Sequence, residues 1–159
     1  MKFTIVILSI AAMLNASYLK AQVPQIIDVA TMQQLLLPAP GKVKVINYWA
    51  TWCKPCVKEL PLFLEAQKNF PEVEFVFISL DFAESANKVA AFAEKRGMKS
   101  VGLYIIDDLD YNSWIDKVSP EWSGAIPATL IVNENGKYFF EQEFTGKELS
   151  SLIQEKTKK

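Results

Sequence analysis

Both cysteines of the chain lie in one run, Trp52-Cys53-Lys54-Pro55-Cys56, and there is no third. Two thiols with two residues between them, and no other thiol in the chain, can readily pair only with each other. A bond of that spacing closes a very small loop, which gains little stability from chain entropy. It suits opening by exchange with another protein's sulfurs better than stapling a fold. Cys-x-x-Cys is also half of a zinc site. A tetrahedral metal needs four ligands, and this chain has no histidine and no further cysteine. No metal site is therefore expected within one chain. The alternatives beside a redox-active pair are a structural disulfide and a zinc shared between two chains.

The thiolate is the reactive form of cysteine, and a free cysteine is mostly thiol at neutral pH. Residues 43–50, VKVINYWA, read as a strand running into the interior, and Lys54 to Asn69 as a helix. Cys53 thus falls where strand gives way to helix. There the unpaired backbone N–H groups and the helix dipole favour negative charge. Lys54 adds a cation beside it. Cys53 is the expected attacking sulfur. Cys56, one turn further, is expected to be more buried and to resolve the mixed disulfide. Pro55 has no N–H and suits a first helical turn.

The elements that must hold this pair follow from the rest of the pattern. The 159 residues are enough for one domain, and half of them are apolar. Net charge is −1, so nothing favours nucleic acid as a partner. The absence of histidine removes Cys-His and Ser-His nucleophile pairs. Residues 1–21 have the layout of a secretory signal: Lys2, an apolar stretch from Phe3 to Leu14, then small residues. Cleavage is expected after Ala16 or Ala21, the alternative being an uncleaved anchor. Residues 22–159 are the expected domain. An exported chain with one cysteine pair sits where disulfides persist.

Strands are expected at Ile26 to Val29, Val43 to Ala50, Val73 to Leu80, Leu103 to Ile106, Ala128 to Val132 and Tyr138 to Phe144. Helices are expected at Thr31 to Leu37 with Thr31 as cap, Lys54 to Asn69 with a kink at Pro61, Ser85 to Arg96 ending at Gly97, Asp110 to Val118, and Gly146 to Lys156. Asn135-Gly136 signals a hairpin within the connection 133–137. The alternation predicts an α/β fold: a mixed central sheet of about five strands with helices on both faces.

The run from Asn47 to Cys56, followed by Lys58-Glu59-Leu60-Pro61, resembles the TlpA/ResA-like branch of the thioredoxin superfamily. Ile126-Pro127-Ala128-Thr129 resembles the superfamily's second signature. The similarity extends from about Ile26 to Ile153. It implies a thioredoxin fold and an exported, periplasmic thiol-disulfide oxidoreductase. The partners implied are protein thiols and disulfides and an upstream thiol donor, membrane-bound in one version. The chain itself is expected to be a monomer. No cofactor is implied beyond the Cys53–Cys56 disulfide. On the resemblance, Cys53 is the nucleophile, Cys56 the resolving thiol and Trp52 the flanking aromatic. Pro127 is a cis-proline against the disulfide. The backbone of Ile126 faces an incoming substrate strand.

One departure matters. Thioredoxin carries a buried aspartate where this chain has Asn47, and an amide cannot carry a proton at physiological pH. Relatives with the asparagine look instead to a glutamate three residues past the second cysteine, here Glu59. On a helix that spacing brings Glu59 to the side of Cys56. The expectation is that Glu59 tunes or shuttles its proton, against the alternative of a solvated surface carboxylate. Asp81 and the cluster Asp107, Asp108 and Asp110 are expected to cap and solvate loops. Trp114 and Trp122 are expected either to line a substrate groove or to pack. Two rival functions remain. A thiol peroxidase is disfavoured because Ala50 and Ile46 stand where peroxiredoxins carry their Thr and Pro. A thioredoxin-like scaffold for cytochrome maturation would bind partners regardless of its cysteines.

Overall fold

The computed structural model describes residues 22–158; the leader expected at residues 1–21 lies outside them. Six strands form one sheet: β1 (Gln25–Ile27), β2 (Val43–Trp49), β3 (Val73–Ser79), β4 (Gly102–Ile106), β5 (Ala128–Asn133) and β6 (Gly136–Phe140). Their order is β1-β4-β3-β2-β5-β6. The first four in that order run parallel, and β5 and β6 are antiparallel to their neighbours. The sheet is therefore mixed, as expected; all six strand segments read in the sequence join it, so it has six strands and not about five.

The helices are α1 (Val29–Leu35), α2 (Lys54–Asn69), α3 (Ala86–Lys95), α4 (Ile115–Val118) and α5 (Gly146–Thr157). Successive residues of a strand point to opposite faces, and β2 shows what each face meets. Asn47 meets Glu59 of α2, and Trp49 packs on Phe92 of α3. Between them Tyr48 points the other way, to Met32 of α1 and to Trp114 and Trp122. β2 thus runs buried through the centre, and it delivers Cys53 to the upper edge of the sheet.

Several boundaries differ from those read in the sequence, each for a local reason. Asp28, not Thr31, caps α1: its carboxylate accepts from Thr31 N at 2.7 Å, which moves the helix start two residues back. The stretch 110–118 is not one helix but a 3-10 turn at Tyr111–Ser113 and the single turn α4. The hairpin pairs Asn133 with Gly136, so its turn is Glu134-Asn135, not Asn135-Gly136. Asn133 Oδ1 fastens it by accepting from Asn135 N and Gly136 N at 2.9 and 3.1 Å. β6 stops at Phe140 rather than Phe144, because its ladder partner β5 begins at Ala128 and Pro127 before it has no N–H to give. The expected end of α3 holds, with Gly97 at φ +70° directly after its last turn.

Candidate active site

Cys53 is the N-cap of α2, with Lys54 and Pro55 as its first two residues. The two sulfurs are joined in a disulfide, with Cα atoms 5.3 Å apart. Cys56 N donates to Cys53 Sγ at 3.3 Å. A backbone N–H in the first helical turn therefore points at the sulfur where negative charge would develop on opening. Cys53 is 6% exposed and Cys56 is fully buried. Of the two sulfur-bearing residues, Cys53 is the one with any solvent exposure. Lys54 is exposed beside them and Trp52 is the most exposed large apolar side chain among the described residues.

On the opposite side the Ile126–Pro127 bond is cis. The Ile126 carbonyl oxygen lies 3.7 Å from Cys53 Sγ. A disulfide sulfur carries no hydrogen, so this is a packing contact in the oxidised form. Pro127 is buried and Ile126 partly exposed. The two signatures read from the sequence are thus brought together across the end of β2.

Glu59 is not a solvated carboxylate. It is 2% exposed, on the side of α2 that faces the sheet. Its Oε1 accepts from Asn47 Nδ2 at 3.2 Å, and its Oε2 accepts from Phe144 N at 3.0 Å. Asn47 Nδ2 also donates to Thr129 Oγ1 at 3.2 Å. A chain of polar groups thus links β5, β2 and α2 to the segment after β6. Burial pushes the Glu59 carboxyl up to about 7. The hydrogen bonds from Phe144 and Asn47 hold it back, and the charge of Glu143 adds to the rise.

Asp81 was expected to cap a solvated loop, and here the structure corrects the sequence. The residue is buried, and its carboxylate accepts from Thr51 N at 2.8 Å, Thr51 Oγ1 at 2.6 Å and Ser79 Oγ at 2.7 Å. It ties the end of β3 to the residue two before Cys53. The signal for this in the sequence is faint: a Ser-x-Asp at a strand end, level with Thr51 only through the β2–β3 pairing. Trp114 and Trp122 resolve as packing residues, both buried, with ring centroids 5.6 Å apart. Trp122 Nε1 donates to Ala125 O at 2.8 Å and so fastens the loop that leads to Ile126.

A protein-family model described as the AhpC/TSA family matches residues 19–138. The chain belongs to the AhpC/TSA family. Among its relatives within reach of sequence, a thiol-disulfide oxidoreductase ResA of Bacillus cereus is 33% identical over 87 residues, 48% of this chain and 50% of ResA. The thioredoxin-like protein YneN of Bacillus subtilis is 33% identical over 106 residues, 64% of this chain and 56% of YneN. This AhpC/TSA-family chain spans about half the length of these curated relatives. They bear out the ResA-like resemblance carried by residues 47–61. Among solved structures, a DsbF homologue from Corynebacterium diphtheriae matches with TM-score 0.60 at 20% identity, over 73% of each chain. A thioredoxin family thiol:disulfide interchange protein from Chlorobium tepidum TLS matches with TM-score 0.59 at 19% identity, over 74% of this chain and 81% of that one. These likenesses show a thioredoxin-like fold.

Proposed function

We propose that this chain is an exported thiol-disulfide oxidoreductase that reduces disulfides in protein substrates. The observation that carries the reading is the Cys53–Cys56 pair at the head of α2. Its outer sulfur lies beside both a helix N–H and the Ile126 carbonyl. In the dithiol form, the Cys53 thiolate attacks one sulfur of a substrate disulfide. That disulfide breaks, a Cys53–substrate disulfide forms, and the first substrate thiolate leaves. The Cys56 thiolate then attacks Cys53 Sγ, which restores the Cys53–Cys56 bond and frees the second substrate thiolate. Two electrons have passed to the substrate. A thiol protein upstream returns the pair to the dithiol, and no prosthetic group is required.

Cys56 starts as a buried thiol and must lose its proton to attack. Glu59 is three residues on, buried, and half-ionised near neutral pH. It is the group suited to take that proton and return it. The exposed ring of Trp52 and the cation of Lys54 frame the approach to Cys53. The backbone of Ile126 offers a docking edge for an extended substrate. Export rests on the layout of residues 1–21, and in such a compartment substrate disulfides persist. Whether the leader is cleaved or tethers the protein, no helix among the described residues is long and apolar enough to cross a membrane.

The deciding experiment is the reduction potential of the Cys53–Cys56 pair, measured by equilibration with dithiothreitol buffers and thiol alkylation. A reversible two-electron couple more reducing than glutathione supports a reductase. A couple more oxidising than glutathione reverses the direction of electron flow. A bond inert to every thiol reductant rules out exchange altogether.

A further inference from the structure

Three exposed apolar side chains follow the C-terminal ends of three adjacent parallel strands. Each stands three residues past a strand end: Trp52 after β2, Phe82 after β3 and Leu109 after β4. β2, β3 and β4 are adjacent, and Trp49, Ser79 and Ile105 lie level across them, so Leu109 stands one residue further along than Trp52 and Phe82. The three side chains therefore share the edge of the sheet from which Cys53 emerges. They are 61%, 58% and 60% exposed, three of the six large apolar residues so exposed among those described. Single exposed apolar residues are ordinary, but a row of them at one edge is not.

The row is held in place. Trp52 and Phe82 follow directly on Thr51 and Asp81, which are hydrogen-bonded at 2.8 and 2.6 Å. Leu109 sits inside an Asx turn, with Asp110 N donating to Asp108 Oδ1 at 2.9 Å. The Asp108 carbonyl accepts from the buried Trp114 Nε1 at 3.3 Å. Charge is arranged along the same line. Lys54 stands beside Trp52, while Asp107, Asp108 and Asp110 surround Leu109 and Glu84 follows Phe82.

We propose that Trp52, Phe82 and Leu109 form a docking row for the protein substrate whose sulfur meets Cys53. The occupant is an extended segment, apolar beside its cysteine and cationic at the end that reaches the aspartates. Two strand spacings of about 4.8 Å separate β2 from β4, a span of about three residues of extended chain. The row continues the candidate active site on the side away from Ile126. It gives that site a preference that the sulfur pair alone does not have. The proposal rests on the exchange chemistry above.

The test uses the reduced protein and three peptides, each with one cysteine capped by glutathione. The first carries three apolar residues and then two lysines on either side of the cysteine. The second replaces the apolar residues with serine, and the third replaces the lysines with glutamate. The first peptide is expected to exceed the second in kcat/KM by about tenfold, the effect of covering parts of two apolar side chains. Its advantage over the third should shrink with added salt. In a Phe82→Ser, Leu109→Ser variant, the ratio of the first peptide's rate to that with hydroxyethyl disulfide should fall by a similar factor. Equal rates for the peptides, or an unmoved ratio in the variant, overturn the docking row and leave the exchange reading standing. No exchange with hydroxyethyl disulfide in the unmodified protein overturns both.

Discussion

Asn47 Nδ2 donates to Glu59 Oε1 across 3.2 Å of buried space, joining the strand that leads to Cys53 with the helix that follows it. The same amide nitrogen donates to Thr129 Oγ1, and Asn47 Oδ1 has no partner among the described residues. An amide that donates in both directions holds a carboxylate without competing for its proton. Its donated hydrogen bond favours the ionised form of Glu59 and so holds back the rise that burial causes.

Glu59→Gln should keep the fold and slow resolution by Cys56. Its carboxyl lies near 7, pushed up chiefly by burial. The pH–rate profile of reduction should lose an inflection near neutrality, read by stopped-flow with a model disulfide. A profile identical to the parent would remove Glu59 from the proton path.

The same carboxyl makes stability depend on pH. It holds its proton up to about 7 when folded and only to its ordinary 4.5 when unfolded. Between those values the folded state binds more protons. Stability is therefore highest at the acid end of that window, falls as pH rises through it, and levels off above about 7. The full change is about 3 kcal/mol. Urea unfolding of the oxidised protein across this window should show the slope, and Glu59→Gln should flatten it. The carboxylates of Asp28, Glu141, Glu148 and Glu155 are shifted down, so their effects fall at lower pH, outside this window.

Asp81→Ala should leave Thr51 N and the Ser79 and Thr51 hydroxyls without their acceptor. Unpaired buried donors of this kind cost about 2–4 kcal/mol together. Because the tie sits two residues before Cys53, exchange rate should fall along with thermal stability. Calorimetry and a disulfide-reduction assay on the same preparation check both.

Cys56→Ser should accumulate mixed disulfides at Cys53, visible as thiol-sensitive bands on non-reducing gels, and Cys53→Ser should not. The buried position of Cys56 makes it the sulfur that partners do not reach. Equal trapping by the two variants would contradict the assigned roles.

Trp122→Ala should lower stability by about 3–5 kcal/mol, the usual cost of removing a buried indole. Its ring packs on Tyr48 at 4.7 Å and on Phe139 at 5.7 Å between centroids. Equilibrium denaturation measures the loss. A change of less than about 1 kcal/mol would return Trp122 to the groove residues.

The pair of cysteines, the strand before them and the helix after them were legible from residue types alone, because a period-2 apolar run and a capped helix are local patterns. Pro127 and Ile126 were legible through the resemblance of a short motif. Glu59 was only half legible. Its spacing from Cys56 is local, but its burial depends on Asn47 and on Phe144, 85 residues away. Asp81 was misread, since an aspartate at a strand end ordinarily caps a loop and only β2–β3 pairing brings Thr51 to it. Nothing local gives the tryptophans of the 111–126 segment a direction; Tyr48, packed between them and Met32 of α1, does. What the chain's order of residues determined by itself was which two sulfurs can pair and which elements carry them. Only tertiary structure decided which polar groups are withdrawn from water, because desolvation and long-range hydrogen bonds belong to residues that meet in space and not in sequence.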